Sequence, residues 1–388
     1  MRRLVPPLLA LLLVPVAAAA ADTLRIATYD AGLARDGPGL LLHDLSQPPE
    51  ADVAGVLAVI RHVRPDVLLV VGLDHDLRGR ALAAFRARLA EGPDGVAYPH
   101  AFAEPVNAGV PSGHDLDGDG RPMEPEDAFG WGRFPGQGGM ALLSRLPIDT
   151  DGARTFRLLR WADLPGAAMP VRGDGRPFPD AATAADLRLS SRSHWDVPVA
   201  LPGGGRLHLL ASNPTPPLFD GPEAFNQRRN ADEVGFWRAY LDGAALPDDA
   251  GRQAPRADAP FVLAGNLNLD PLDGVGRGEA IAALLAHPAL VDPRPRSGGA
   301  EAVGAEGANA AHAGDPGLDT ADWRDDGPGN LRVDYVLPSA DLAVAGAGVF
   351  WPRPGEPLAE AAAASDHRLV WVDVRLPPGG TVTSGPGD

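Results

Sequence analysis

Asp115, Asp117 and Asp119, followed by Gly120 and then by Glu126, repeat the spacing D-x-D-x-D-G-x5-E. In that pattern oxygens at positions 1, 3, 5 and 12 surround a calcium ion, and the glycine permits the turn between them. Carboxylates suit a hard cation, so the chemistry expected here is structural calcium binding that orders a long connection. Pro111, Pro122 and Pro125 flank the loop and exclude the helix pair of an EF-hand. The same residues also make a solvated acidic turn, and spacing alone leaves both readings open.

The elements that must carry any site are read from apolar periodicity. Leu24 to Tyr29 and Asp66 to Val71 read as buried strands, and Glu50 to His62 between them places Val53, Val56, Leu57 and Ile60 on one helical face. Further strands are expected at Gly139 to Leu143, Leu187 to Ser191, Arg206 to Ala211, Phe261 to Ala264, Val333 to Leu337 and Leu369 to Val374. Helices are expected at Arg78 to Ala90, Gly221 to Leu241 and Gly278 to His287. Loops rich in Gly, Pro and Asp fill 107–130, 244–260 and 294–328, and none reads as a repeat or a separate domain. The alanine- and glycine-biased stretch near the end reads as mobile.

Met1-Arg2-Arg3 precede an apolar run from Leu4 to Val16 and an alanine tract ending near Ala21, the pattern of a signal peptide over residues 1–21. Pro6, Pro7 and Pro15 interrupt the run, which falls short of the roughly 20 apolar residues of a membrane span. The expectation is a secreted or periplasmic protein with no transmembrane anchor, a domain over 22–376 and a disordered tail over 377–388. Cysteine is absent, so export brings no disulfide. The formal charge is −17, and every basic residue is arginine. Such a chain repels polyanions in bulk, which argues against an extended nucleic-acid footprint.

Six short segments then fall in one order: Arg25-Ile-Ala-Thr-Tyr-Asp30, Pro65-Asp-Val-Leu-Leu-Val-Val-Gly72, Ser212-Asn-Pro-Thr215, Gly265-Asn-Leu-Asn268, Arg332-Val-Asp-Tyr335 and Ser365-Asp-His367. Phe134-Pro-Gly-Gln137 leads into a seventh, Gly139 to Arg145. In this order the chain resembles the endonuclease/exonuclease/phosphatase superfamily, which includes deoxyribonuclease I-like nucleases, over roughly residues 24 to 376. The resemblance implies an α/β fold, a four-layer sandwich of two mixed β-sheets packed face to face with helices outside, and a site at the strand ends on one edge. It also implies phosphoester hydrolysis with magnesium or manganese. A cation held by carboxylates neutralises the phosphoryl charge, a carboxylate orients or deprotonates water, and imidazoles stabilise the oxygens or protonate the leaving group.

Asn268, Asp334, Asp366 and His367 match the family's site positions. Four others depart from it. Asp30 stands where the first strand normally ends in asparagine, Gly72 where the second delivers the metal-binding glutamate, Asn213 at the imidazole of the His-Pro motif, and Asn266 at the first carboxylate of Gly-Asp-x-Asn. Gly72 has no side chain, Asn213 cannot become a cation, and Asn266 cannot take a proton from water at neutral pH. A positioned acid or base contributes roughly 10² to 10⁴ in rate, and members of one machine do not act independently.

Their joint loss points to a pseudoenzyme, a scaffold for a cation, a phosphorylated small molecule or a protein partner. The alternative is an active phosphodiesterase or phosphatase in which Asp30 and Asp366, with Asp334, hold the metal in a shifted place. Asp74, two residues beyond Gly72, would lie about 6.6 Å further along an extended strand. Asp334 and Asp366 could instead pair with Arg332 and Arg368, His194 is expected to pack, and Arg228 and Arg229 to face solvent.

Overall fold

The alternation within Val67–Val71 sets the layering. Val67, Leu69 and Val71 point into one apolar core, and Leu68 and Val70 into another. A strand covered on both faces has no polar side, which is why it reads as an unbroken apolar run. The computed structural model describes residues 23–303, 307–324 and 326–376; the signal peptide and tail expected at the two ends lie outside the described residues.

The strands are β1 (Thr23–Leu33), β2 (Val67–Leu73), β3 (His100–Phe102), β4 (Gly139–Ser144), β5 (Arg154–Thr155), β6 (His194–Ala200), β7 (Arg206–Ser212), β8 (Phe261–Asn266), β9 (Ala321–Asp322), β10 (Asn330–Leu331), β11 (Asp334–Pro338), β12 (Ala343–Phe350) and β13 (Leu369–Arg375). One sheet has the order β12-β13-β1-β2-β4-β3 and a second the order β11-β8-β7-β6-β5, while β9 and β10 pair on their own. In each large sheet one central pair is parallel, β1 with β2 and β7 with β8, and the other pairs are antiparallel. Both sheets are therefore mixed, as the resemblance implied.

The helices are α1 (Leu40–Ser46), α2 (Ala51–Val63), α3 (Arg80–Ala90), α4 (Ala181–Asp186), α5 (Phe225–Leu241), α6 (Gly278–Leu285), α7 (Gly298–Ala302) and α8 (Ala359–Ala362). A parallel pair needs a crossover, and helices supply it: α1 and α2 between β1 and β2, α5 between β7 and β8. Val53, Val56, Leu57 and Ile60 of α2 and Phe85 and Leu89 of α3 cover the six-stranded sheet. Val234, Phe236, Trp237 and Tyr240 of α5, with Ile281 and Leu284 of α6, cover the five-stranded one. Between the sheets, Ile26, Leu69, Leu142 and Val372 of one meet Trp195, Val197, Leu209 and Val336 of the other. The result is four layers.

Three expectations need correction. Leu187 to Ser191 is not a strand; Arg188 makes a single bridge to Arg160. Side chains take the carbonyls that a ladder would use, Arg229 those of Arg188 and Leu189, and the Asn107 amide that of Ser190. Ala343 to Phe350, which lies in the alanine- and glycine-biased stretch, forms β12. Its small residues make room for an aromatic ring, since a Cβ on Gly348 would stand 2.9 Å from the Trp371 indole. Within 294–328, read as a loop, the chain also forms α7 and β9.

Candidate active site

The parallel strands of the two sheets end at one edge, and hydrogen bonds stitch those ends together. Asn266, the last residue of β8, lies opposite Asp334, the first of β11. Its Oδ1 accepts from the backbone N–H of Asn268 at 2.9 Å, which leaves Nδ2 to donate to Asp30 Oδ2 of β1 at 3.0 Å. That second bond crosses from one sheet to the other. Asn213, just past β7, donates from Nδ2 to the Asn266 carbonyl at 3.1 Å, and Asn268 donates from Nδ2 to the Pro214 carbonyl at 2.9 Å. Asn268 has φ 52°, a left-handed conformation that asparagine tolerates. All three amides thus fix the ends of β7 and β8.

Asp334 is fully buried. Its Oδ2 accepts from Thr320 Oγ1 at 2.9 Å and faces His367 Nδ1 at 2.9 Å. His367 Nε2 stands 4.0 Å from Asp30 Oδ2, so the ring lies between two carboxylates. Burial disfavours its charge, but Asp334 and then Asp30 outweigh that and raise its pKa from 6.5 to about 9. The two carboxylates thus favour the imidazolium at neutral pH. The indole of Trp323 meets the ring edge-on at 5.2 Å. Ser365 Oγ donates to the Asp30 carbonyl at 2.8 Å and accepts the His367 N–H at 3.1 Å, which locks the approach to β13 onto β1.

Gly72 sits where β2 departs from regular register with both neighbours, and its φ of +69° is open to glycine at little cost. The divalent cation implied by the resemblance finds no matching donor set. Residue 72 offers no side-chain oxygen, Asp366 is exposed, and both oxygens of Asp30 and one of Asp334 accept hydrogen bonds. Among the described residues no three carboxylate or imidazole groups of this cleft bring ligand atoms within 4.8 Å of one another. Asp74 does not stand in for residue 72. It is buried and accepts from the N–H groups of Arg35 and Gly138 at 3.1 and 2.9 Å, a loop-holding role.

Sequence reading overlooked Arg192. Its Nε donates to the Gly138 carbonyl at 3.0 Å. Burial lowers its pKa, opposed by Glu233 and Asp30, so a guanidinium stands near Asp30 without a carboxylate at ion-pair distance among the described residues. A single arginine in a serine-rich stretch gives no motif by which to find it. Glu233 anchors this corner, accepting from the N–H groups of Ser191 and Thr215 at 2.9 and 3.0 Å.

Other candidates fall outside the cleft chemistry. Arg229 is buried, not solvated, and binds backbone carbonyls; Arg228 donates to the Glu223 carbonyl. His194 is fully buried between Ser190 Oγ and the Glu233 carbonyl. Arg332 pairs with Asp292 and Arg368 with Asp322, rather than with Asp334 and Asp366.

In the acidic loop, Asp115 and Asp117 come together with Asp127, their ligand atoms within 4.8 Å. Glu126 is not in that cluster; its Oε1 accepts from Trp131 Nε1 at 3.2 Å. Asp119 Oδ1 accepts from the Arg121 N–H at 2.8 Å, and the Asp127 oxygens hold the N–H groups of Leu116 and Glu124.

The sequence model of the endonuclease/exonuclease/phosphatase family matches residues 41–367. No curated protein sequence matches the chain. Among solved structures, an endonuclease/exonuclease/phosphatase from Beutenbergia cavernae is similar at 20% identity and a TM-score of 0.50, over 92% of this chain and 72% of its own. A family protein from Leptotrichia buccalis is 12% identical with a TM-score of 0.48, over 91% of this chain and 100% of its own. With the family's sequence pattern spanning most of the chain and two mixed sheets sandwiched between helices, this protein belongs to the endonuclease/exonuclease/phosphatase family.

Proposed function

We propose that this family member binds a phosphorylated ligand or a protein partner without hydrolysing it. The observation that carries the reading is the state of three positions. Where phosphoester hydrolysis asks for a metal-binding carboxylate, an imidazole and a base, this chain has Gly72, Asn213 and Asn266, and the two amides are used to join strand ends. An amide neither takes a proton from water nor bears positive charge. Arg192 and the remaining amide N–H groups supply donors that suit an oxyanion. The arginine-led apolar run and alanine tract at the start of the sequence support an exported setting.

The test is hydrolysis of a generic phosphodiester with magnesium or manganese, comparing the natural chain with one carrying Asp30→Asn, Gly72→Glu, Asn213→His and Asn266→Asp. Turnover by the substituted chain alone is the expected result. Turnover by the natural chain that Asp366→Ala abolishes would end this reading. It would favour a slow phosphodiesterase or phosphatase built on the Asp334–His367 pair, the close acid-imidazole contact that the cleft retains.

The acidic loop, with Asp127 beside Asp115 and Asp117, supports a structural calcium site.

A further inference from the structure

A Cβ placed on Gly72 would lie 2.3 Å from Asp30 Oδ1, 3.4 Å from Asp30 Cγ and 3.1 Å from the Gly32 nitrogen. Separations below 3.0 Å do not persist, so something must move, and moving the end of a side chain costs little unless that end is held. Asp30 is held from both sides: Oδ1 accepts the Gly32 N–H at 3.2 Å, and Oδ2 accepts Asn266 Nδ2 from the opposite sheet at 3.0 Å. Its carboxylate therefore fills the space through which a side chain on residue 72 would enter the cleft. Two strands contribute one acid between them, from β1 and not from β2.

That placement does not rebuild a cation site. Magnesium demands near-octahedral oxygens at about 2.0 to 2.1 Å, and manganese also favours oxygen ligands. Asp30 Oδ2 is bonded to Asn266 and faces His367 Nε2 at 4.0 Å, Asp334 Oδ2 is bonded to Thr320, and Asp366 lies exposed. No three of these groups converge.

We infer that the Asp30 carboxylate, tied to Asn266, and a side chain at residue 72 exclude one another, which closes this cleft to divalent cations; in the four-fold substituted chain Asn266→Asp removes that tie and frees residue 30 to turn aside. The inference rests on the cleft's geometry and not on the absence of turnover.

Two measurements test it, and neither reads activity. The first is a titration of the full chain with manganese alone, following the imidazole NMR signals of His367, identified by their loss in His367→Gln, in an Asp117→Asn background that weakens the acidic loop. One equivalent is expected to leave them sharp; their broadening beyond detection would overturn the inference. The second is a thermal double-mutant cycle of Gly72→Ala and Asp30→Ala. The left-handed backbone penalises alanine at 72 in both backgrounds, so the cycle isolates the clash. The loss of Tm on Gly72→Ala is expected to fall by at least half when Asp30 is alanine, and an equal loss in both backgrounds would overturn the exclusivity. Should Gly72→Ala fail to fold, the manganese titration still decides on the natural chain. Turnover with His367 unbroadened would end the binding-protein reading and leave this inference standing, whereas broadening without turnover would do the reverse.

Discussion

His367 Nδ1 lies 2.9 Å from Asp334 Oδ2, and this contact joins the approach to β13 in one sheet to the first residue of β11 in the other. Both groups are nearly removed from water, so the pair depends on the imidazole keeping its proton.

The pH dependence follows in sign. The folded pKa of His367, about 9, exceeds its ordinary 6.5, so the stabilisation is full below pH 6.5 and is lost as pH rises through 9. Urea unfolding between pH 6 and 10 should show that decline, and His367→Gln should flatten it; an unchanged slope would refute the assignment.

His194 should act at the other end of the scale. Burial lowers its pKa from 6.5 to about 4, with Nε2 donating to the Glu233 carbonyl and Nδ1 accepting from Ser190 Oγ. The neutral ring stabilises the fold above pH 6.5, and that support is lost as pH falls toward 4. Ser190→Ala leaves Nδ1 without its donor and should lower stability by about 1 to 3 kcal/mol at neutral pH, measured by denaturant titration.

Asp319 is a buried acid whose pKa rises to about 8, first through burial and then through Asp270, Asp273 and Asp315. The fold prefers it protonated, so ionisation above its ordinary pKa works against folding. Asp319→Asn is expected to raise stability at pH 7 by about 1 to 3 kcal/mol, with the gain vanishing near pH 4. A loss at pH 7 would show that the carboxylate has a partner.

A substitution far from the cleft should reach it. A Cβ on Gly55 of α2 would stand 2.4 Å from the Ala364 Cβ and 2.9 Å from the Ala361 carbonyl, just before Ser365-Asp366-His367. Gly55→Ala gains about 1 kcal/mol in helix propensity, yet overpacking at about 1 to 3 kcal/mol should outweigh it. Lower Tm together with shifted His367 imidazole signals is expected; a stabilised protein with those signals unmoved would count against this coupling.

Calcium should stabilise the chain through the acidic loop. At ten times its Kd, a bound ion adds about 1.4 kcal/mol. Tm is expected to rise in millimolar calcium and the rise to disappear in Asp117→Asn, and an equal rise in that variant would place the ion elsewhere.

Much of this architecture was legible because burial leaves a periodic trace. Val53, Val56, Leu57 and Ile60 mark the inner face of α2, and Val67 to Val71 mark a strand covered on both sides. β12 left no such trace, because its alanines and glycines answer to the bulk of Trp371 and not to β propensity. Leu187 to Ser191 mimicked a strand, since its composition cannot reveal that Arg229 and Asn107 take its carbonyls. Motif order placed Asn213, Asn266, Asp334 and His367 along the chain, and the fold brings them to one cleft. It could not place Asp127 or Arg192, which enter through loop geometry, nor show that Asp30 fills the space beside Gly72.

The cleft draws Asp30, Gly72 and His367 from one sheet and Asn213, Asn266, Asn268 and Asp334 from the other. A ligand seated there acts as a rivet through two plates, resisting their sliding over the apolar layer between them. Its arrival would then be felt by amides at the far ends of β1 and β8, whose exchange with solvent water should slow although no ligand atom approaches them.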